Sequence, residues 1–284
     1  MPKSASLKPF DHYLVHPGKK VNLGKLPTAQ AKHIPDRPAA EAQTLQAAQR
    51  IGELQDILYA EGRRSLLFIF QGLDASGKDG AIRKVFDAVN PAGLHITSFK
   101  SPSPEELRHD FLWRIHQKAP ALGTLAVFNR SHYEDVLIVR VHQDRFLSDH
   151  LRNDKNLWPR RFHQIGSFER MLVDSSTTIL KFFLHISREE QAERFRARQQ
   201  DPKKHWKLAA GDFDERKFWD DYHAAYEQML PNTSTDFAPW YIIPADRKWT
   251  RNYLISHIIA AKMESLGLHY PELTDQTLVQ RRFK

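Results

Sequence analysis

The stretch "SLLFIFQGLDASGKDGAIRKVF", residues 65–86, constrains the fold of this chain more than any other. A short apolar run has the length of a buried parallel strand, a glycine-bearing turn follows at once, and a helical pattern starts at Lys78. "GLDASGKDG" fits G-x-x-x-x-G-K with Gly72, Gly77 and Lys78, but lacks the Ser or Thr that normally follows the lysine. In such a turn the backbone N–H groups surround phosphate oxygens, and the helix behind it directs its positive end at them. Gly72, Ala75, Ser76, Gly77, Lys78, Asp79 and Gly80 are therefore the expected phosphate-binding residues. Two acids sit in this anion site. Asp74 makes sense beside a polyphosphate if a divalent cation stands between them, because a bare carboxylate would be repelled at short range; it could equally orient an acceptor group. Asp79 occupies the first turn of a helix, where the dipole favours an acid without any further role, and both readings stay open.

The surrounding pattern alternates. Apolar runs recur at "HITSF" (95–99), "TLAVF" (124–128), "TILKFFLHI" (178–186) and "WYIIP" (240–244). Between them, helical patterns are expected at 78–89, 104–117, 131–142, 157–174, 187–200 and 248–266, and one precedes the first strand at 40–61, with Gly62 as its stop. That rhythm predicts βαβ units and an α/β fold of three layers, with a central parallel five-stranded sheet. Residues 201–232, densely charged and dotted with aromatics, interrupt it and are expected to form a helical lid above the sheet. Residues 1–37, rich in Pro, Lys and His, are expected to be an extended arm, and 38–284 one domain.

A second cluster, "NRSHYED", follows the third strand. Ligands in open α/β sheets gather at the carboxyl ends of strands, so Asp135 or Glu134 could complete a metal site with Asp74, and Arg130 could hold a phosphate bidentately. The alternative is that both acids only serve a helix start. A third feature is "ERFRARQQDPKKHWKL", 193–208. Arg194 and Arg198 share a helix face, with Lys203, Lys204 and Lys207 beyond. The run is either a solvated face or a basic surface that closes over phosphates.

Composition limits the partners. With 42 Lys and Arg against 34 Asp and Glu, the net charge is +8, which suits a polyanion. Lys84, Lys100, Arg108 and the terminal "RRFK" could extend a basic groove. No cysteine is present, which excludes disulfides and thiolate chemistry. The first twenty residues carry no apolar h-region and no run is long enough to span a bilayer, so a cytoplasmic protein without membrane contact is expected.

Taken together, "GLDASGKDGAIRKVFDAVNPAG" (72–93), "HDFLWRIHQKAP" (109–120), "FNRSHYEDVL" (128–137), "DPKKHWK" (201–207), "WDDY" (219–222) and "TSTDFAPWYIIPAD" (233–246) resemble the polyphosphate kinase 2 family over roughly residues 40–266. The resemblance implies a thymidylate-kinase-like P-loop fold and phosphoryl transfer between inorganic polyphosphate and a nucleotide. It further implies Mg²⁺, with Mn²⁺ able to substitute, and a homo-oligomer, dimer or tetramer. Carried onto this chain, the loop acid is Asp74, the loop lysine Lys78, the basic residue after the loop Arg83 and the second acid Asp135. The lid cations are Arg194, Arg198 and Lys204. Catalysis is expected from Asp74, Lys78, Arg130, Glu134 and Asp135, metal binding from Asp74 and Asp135, and nucleotide contacts from Arg114, Asn129 and Arg130. Many relatives read "FDRSWYNR" here; Asn129 with Glu134 looks like the subgroup accepting both nucleoside mono- and diphosphates, adenine and possibly guanine nucleotides among them. Two rivals remain: an ATP-dependent nucleoside monophosphate kinase, against which Asp79 in the hydroxyl position counts, and a basic nucleic-acid-binding module, which leaves the loop and its acids unexplained.

Overall fold

The five apolar runs form five parallel strands, β1 (Ser65–Gln71), β2 (Leu94–Ser98), β3 (Leu125–Asn129), β4 (Thr177–His185) and β5 (Trp240–Pro244), in the spatial order β2-β3-β1-β4-β5. The structure is a computed structural model that describes residues 7–29, 34–275 and 278–279, so the terminal "RRFK" falls outside the described residues. Central β1 is buried along its whole length, as a parallel strand covered on both faces must be, which is why its sequence is nearly all apolar. β2 lies at one edge and is only partly covered; its mixed sequence follows from that.

The longer helices are α1 (Arg37–Glu61), α2 (Lys78–Val85), α3 (Leu157–Asp174), α4 (Arg188–Gln200), α5 (Ala210–Glu215), α6 (Trp219–Thr233) and α7 (Lys248–Ser265). Successive strand residues point to opposite faces. Leu66, Phe68 and Phe70 join Phe182 and Ile243 in one core beneath α1, α2 and α7. Leu67 and Ile69 join Phe128, Phe183 and Trp240 in the other, beneath α3 and α6. Each fully buried Phe contributes about 1.5–3 kcal/mol, so these two layers hold the sheet rigidly under its loops. The ends of α1 follow from local chemistry. Asp36 accepts the Ala39 N–H at its start, and Gly62 stops it in the left-handed conformation, φ 63°.

Two expected helices are not continuous. Over 104–117 the chain instead makes a 3₁₀ turn at Glu106–Arg108 and a single α-turn at Trp113–His116. Ser103 and Glu106 cap each other reciprocally, and the Asp110 side chain takes the Leu112 N–H at 2.9 Å, so side chains compete with the helical ladder. Over 131–142 a 3₁₀ turn at His132–Val136 breaks at Leu137 before one turn at Ile138–Val141. Ser131 caps the first turn, and His132 and Tyr133 are drawn into a buried polar network instead of onto a helix face.

That network joins four elements: β4, α3, α6 and the turn at His132–Val136. Lys181 of β4 donates from Nζ to Glu169 Oε2 of α3 at 2.5 Å, to Tyr133 Oη at 2.9 Å and to the Thr233 carbonyl at 2.7 Å; Tyr133 donates to Glu169 Oε1 at 2.6 Å. The turn that carries Glu134 and Asp135 is thereby pinned to the sheet. On the opposite edge, the Val15 N–H donates to Trp240 O and Leu14 bridges Tyr241, so residues 13–23 cover β5 of their own chain.

Candidate active site

Register places the site. Phe70 of β1 lies opposite Asn129 of β3, so the loops after the two strands leave the sheet side by side, and the Arg130 N–H donates to Phe70 O at 3.0 Å. The first loop needs its glycines. Gly77 has φ 100°, and a Cβ there would lie 2.0 Å from Arg251 Nη1. Ala75 and Arg130 also take left-handed values, φ 61° and 64°, strained positions held by their surroundings.

Lys78 folds back over its loop, donating to the Gly72 and Leu73 carbonyls at 2.6 and 3.3 Å. Burial, reinforced by Arg130, pulls its ammonium down to about 8, although Asp74 opposes this. Asp74 pairs with Arg130, which also lies 3.9 Å from Glu134. Burial alone would raise the Asp74 carboxyl, but Arg130, Lys78 and Arg198 outweigh it and hold it below the usual carboxylate range. Asp79 has a partner that the dipole argument does not supply: Asn129 donates to its Oδ1 at 2.6 Å, tying the helix after the first loop to the end of β3.

Two cavities meet at Arg130. A small one of about 60 Å³ lies between the loop and the lid, lined by Gly72, Asp74, Arg130 and Glu134 below and by Asp212 and Tyr226 above. A larger one of about 680 Å³ shares Arg130 and Glu134 and adds Asp135, Lys100, Arg160 and Arg161. The Asp135 carboxyl is pushed up to about 6 by burial, which Arg161 and Arg114 only partly offset.

The expected residues thus divide. Gly72, Asp74, Lys78, Arg130 and Glu134 converge. Asp135 lines the second cavity, not the one that holds Asp74, so the two acids are set apart by Arg130 and Glu134 instead of sharing one pocket. Arg194 does not reach over the site. Its guanidinium donates to five acceptors, Glu190 and the carbonyls of Ala75, Ser76, Ala245 and Asp246, so it secures the loop from its own side. Arg198 lies 3.8 Å from Asp212. Lys204 is exposed and pairs with Asp201, and Arg83 is exposed on α2. Arg114 is buried, donates to Lys100 O at 2.9 Å and lies over Phe99, so it shapes the cavity wall. Sequence reasoning missed Gln191, which donates to Asp74 O, and Arg251, which sits beneath the loop. The rule that sites lie beyond the carboxyl ends of strands could have flagged Arg251, a few residues after β5.

A parallel sheet with this loop after its central strand is a P-loop kinase fold. A family model described as Polyphosphate kinase 2 (PPK2) matches residues 35–268, and the chain belongs to that family. It is 49% identical over 224 residues to AMP/ADP-polyphosphate phosphotransferase of Meiothermus ruber, covering 79% of this chain and 81% of that one. To ADP-polyphosphate phosphotransferase of Rhodopseudomonas palustris it is 45% identical over 266 residues, 92% of each. The crystal structure of polyphosphate kinase 2 from Arthrobacter aurescens TC1 superposes with a TM-score of 0.87 at 37% identity, covering 94% of this chain and 93% of that chain.

Proposed function

We propose that this enzyme moves the terminal phosphoryl group of inorganic polyphosphate reversibly onto ADP or AMP, with guanine nucleotides as further candidate acceptors. The observation that carries this reading is Arg130, whose guanidinium lines both cavities at once. The polyphosphate end would lie on the 72–78 loop and the acceptor phosphate in the larger cavity. One acceptor oxygen attacks the terminal phosphorus, the bond to the shortened chain breaks, and Arg130 neutralises charge shared by the two. Transfers of this kind need positioning and charge balance more than covalent help from the protein.

The donor set fits a divalent cation. Among the described residues no cluster of three or more acidic or histidine side chains could hold a metal, and Mg²⁺ commonly takes only one or two carboxylates with phosphate oxygens and water. Asp135, buried and short of compensating charge in the larger cavity, and Asp74, in the other cavity and paired with Arg130, would each hold such an ion singly, together with phosphate oxygens and water. Bound there, Mg²⁺, or Mn²⁺ in its place, would supply charge neutralisation at the phosphates. Lys78 grips the loop-bound phosphate, and Arg198 with Lys204 would approach it from the lid side. Among the described residues no helix is long and apolar enough to cross a membrane, and a cytoplasmic homo-oligomer is the form we propose.

Incubation with Mg²⁺ and long-chain polyphosphate should yield ATP from ADP and ADP from AMP, with light scattering after gel filtration giving the oligomer number. Turnover of ATP with a monophosphate, but none with polyphosphate, would replace this reading by the nucleoside monophosphate kinase.

A further inference from the structure

We infer that Arg251 is a positioning residue for the donor phosphate, a buried cation that charges the phosphate loop from beneath and takes the bound polyphosphate end as its counter-ion. This rests on the reading of the 72–78 loop as the polyphosphate site. Arg251 is on the first turn of α7 and only 2% exposed. Its donors go to neutral groups: Nε and Nη2 to Asn252 Oδ1 at 3.2 and 2.8 Å, and Nη1 to the Ser76 carbonyl at 3.4 Å. Among the described residues it has no ion pair with a carboxylate, whereas Arg194 beside it has Glu190.

The position is specific. The guanidinium lies against Gly77 so closely that a Cβ on that glycine would meet Nη1 at 2.0 Å and have Arg194 Nη1 at 3.3 Å, and it approaches Gly80 within the first turn of α2. Both glycines belong to the segment expected to surround phosphate. A charge buried without a partner is costly, and proteins rarely retain one without a compensating interaction. Burial and the like charge of Arg194 bring Arg251 down to about 9, so it remains cationic at neutral pH while destabilising the ligand-free fold. A polyanion on the other side of the loop supplies the missing charge. Arg194, with its hydrogens already placed on Glu190 and on the carbonyls of Ala75, Ser76, Ala245 and Asp246, holds the backbone; Arg251 supplies field.

A residue that only tied down the Ser76 carbonyl would behave differently. Replacing it would lower ligand-free stability and leave the response to ligand unchanged. The test compares the full-length native chain with Arg251→Met and Arg251→Lys by thermal unfolding, alone, with polyphosphate and with ADP, alongside initial rates. In the native chain polyphosphate should raise Tm. Arg251→Met is expected to melt at or above the native ligand-free Tm, to lose most of the polyphosphate-induced rise, and to keep the ADP-induced rise. Its KM for polyphosphate should increase on the order of tenfold, as for one unit charge a few ångströms away in a partly buried setting, with the acceptor KM unchanged. Arg251→Lys, which keeps the charge, should retain most of the polyphosphate response. A full polyphosphate response in Arg251→Met overturns the inference, as does equal loss in both variants or loss of the ADP response alone. If polyphosphate fails to stabilise even the native chain, the loop is not its site and both readings fall.

Discussion

Replacing Lys181 by methionine should cost the fold about 3–5 kcal/mol, although the change looks modest in size and the residue touches neither cavity. Lys181 and Glu169 are both fully buried, and the ammonium places its three hydrogens on Glu169, Tyr133 and the Thr233 carbonyl. Methionine fills much of the same volume but removes every one of these bonds. What remains around the Glu169 carboxylate is the Tyr133 hydroxyl at 2.6 Å and a weak contact to His132 at 3.4 Å. In the native chain burial favours the protonated acid, yet Lys181 and His132 overcome it and hold Glu169 below the usual range. Without the lysine, burial wins and the charge is stranded. At about 2–4 °C per kcal/mol, the loss corresponds to a fall in Tm of roughly 6–20 °C.

Urea unfolding followed by tryptophan fluorescence suits the test, because Trp240 packs against Tyr133 in this network. The double variant Lys181→Met with Glu169→Gln should regain at least about 2 kcal/mol over the single one, because it removes the stranded charge as well as its partner. The pH dependence has opposite signs in the two forms. The depressed Glu169 gives the native chain stability that is present above the unfolded carboxylate pKa and lost as pH falls through the lower folded value. In Lys181→Met the same group is raised, so its penalty applies at neutral pH and is relieved as acid protonates it; the gap between the two proteins should narrow toward about pH 4–5. A loss under about 1 kcal/mol, or single effects that simply add, would refute the argument that the pair is ionised and mutually dependent.

The active-site predictions are more direct. Asp135→Asn should leave Tm within a few degrees of native or slightly higher, since it removes an undercompensated buried carboxylate, while turnover falls by about 100-fold or more. Because the Asp135 carboxyl is pushed up to about 6, native activity at low Mg²⁺ should decline as pH drops through that value, and saturating Mg²⁺ should move the acid limb lower. Arg130→Lys keeps the charge but not the fork that reaches Asp74 and Glu134; kcat/KM should fall by about 100-fold, and equal rates would remove Arg130 from the transfer step. Gly77→Ala, with φ 100° and a Cβ driven onto Arg251, should cost more than about 1 kcal/mol in thermal unfolding and raise the KM for polyphosphate.

Much of this was legible from residues alone, for a definable physical reason. β1 and β4 are buried on both faces, so their composition had to be apolar and they were readable; Gly62 and Gly77 carry backbone conformations that their identity advertises. Periodicity failed at 104–117 and 131–142 because turn geometry there is decided by side chains reaching elsewhere, Asp110 to its own backbone and Tyr133 to a glutamate 36 positions away. The same limit applies to charge. "ERFRAR" looks like one cationic face, yet Arg194 spends its hydrogens beneath the loop while Arg198 turns toward Asp212, and the loop's cation without a carboxylate partner among the described residues comes from a helix that the sequence marks only by its helical pattern. Which cations remain for a phosphate is a property of pairing, and pairing is set by strand order. Placing β1 between β3 and β4 brings the loop after β1 against the arginine after β3, while α4 and α7, which follow β4 and β5, bring theirs to its other side. Among the described residues the loop is thus ringed by Arg130, with Asp74 and Glu134 beside it, by Arg194, with Glu190 beside it, and by Arg251, with no carboxylate paired to it. That imbalance is what an anionic substrate would correct, and it explains how an acid can sit in a phosphate loop without weakening it: Asp74 balances Arg130 until substrate arrives.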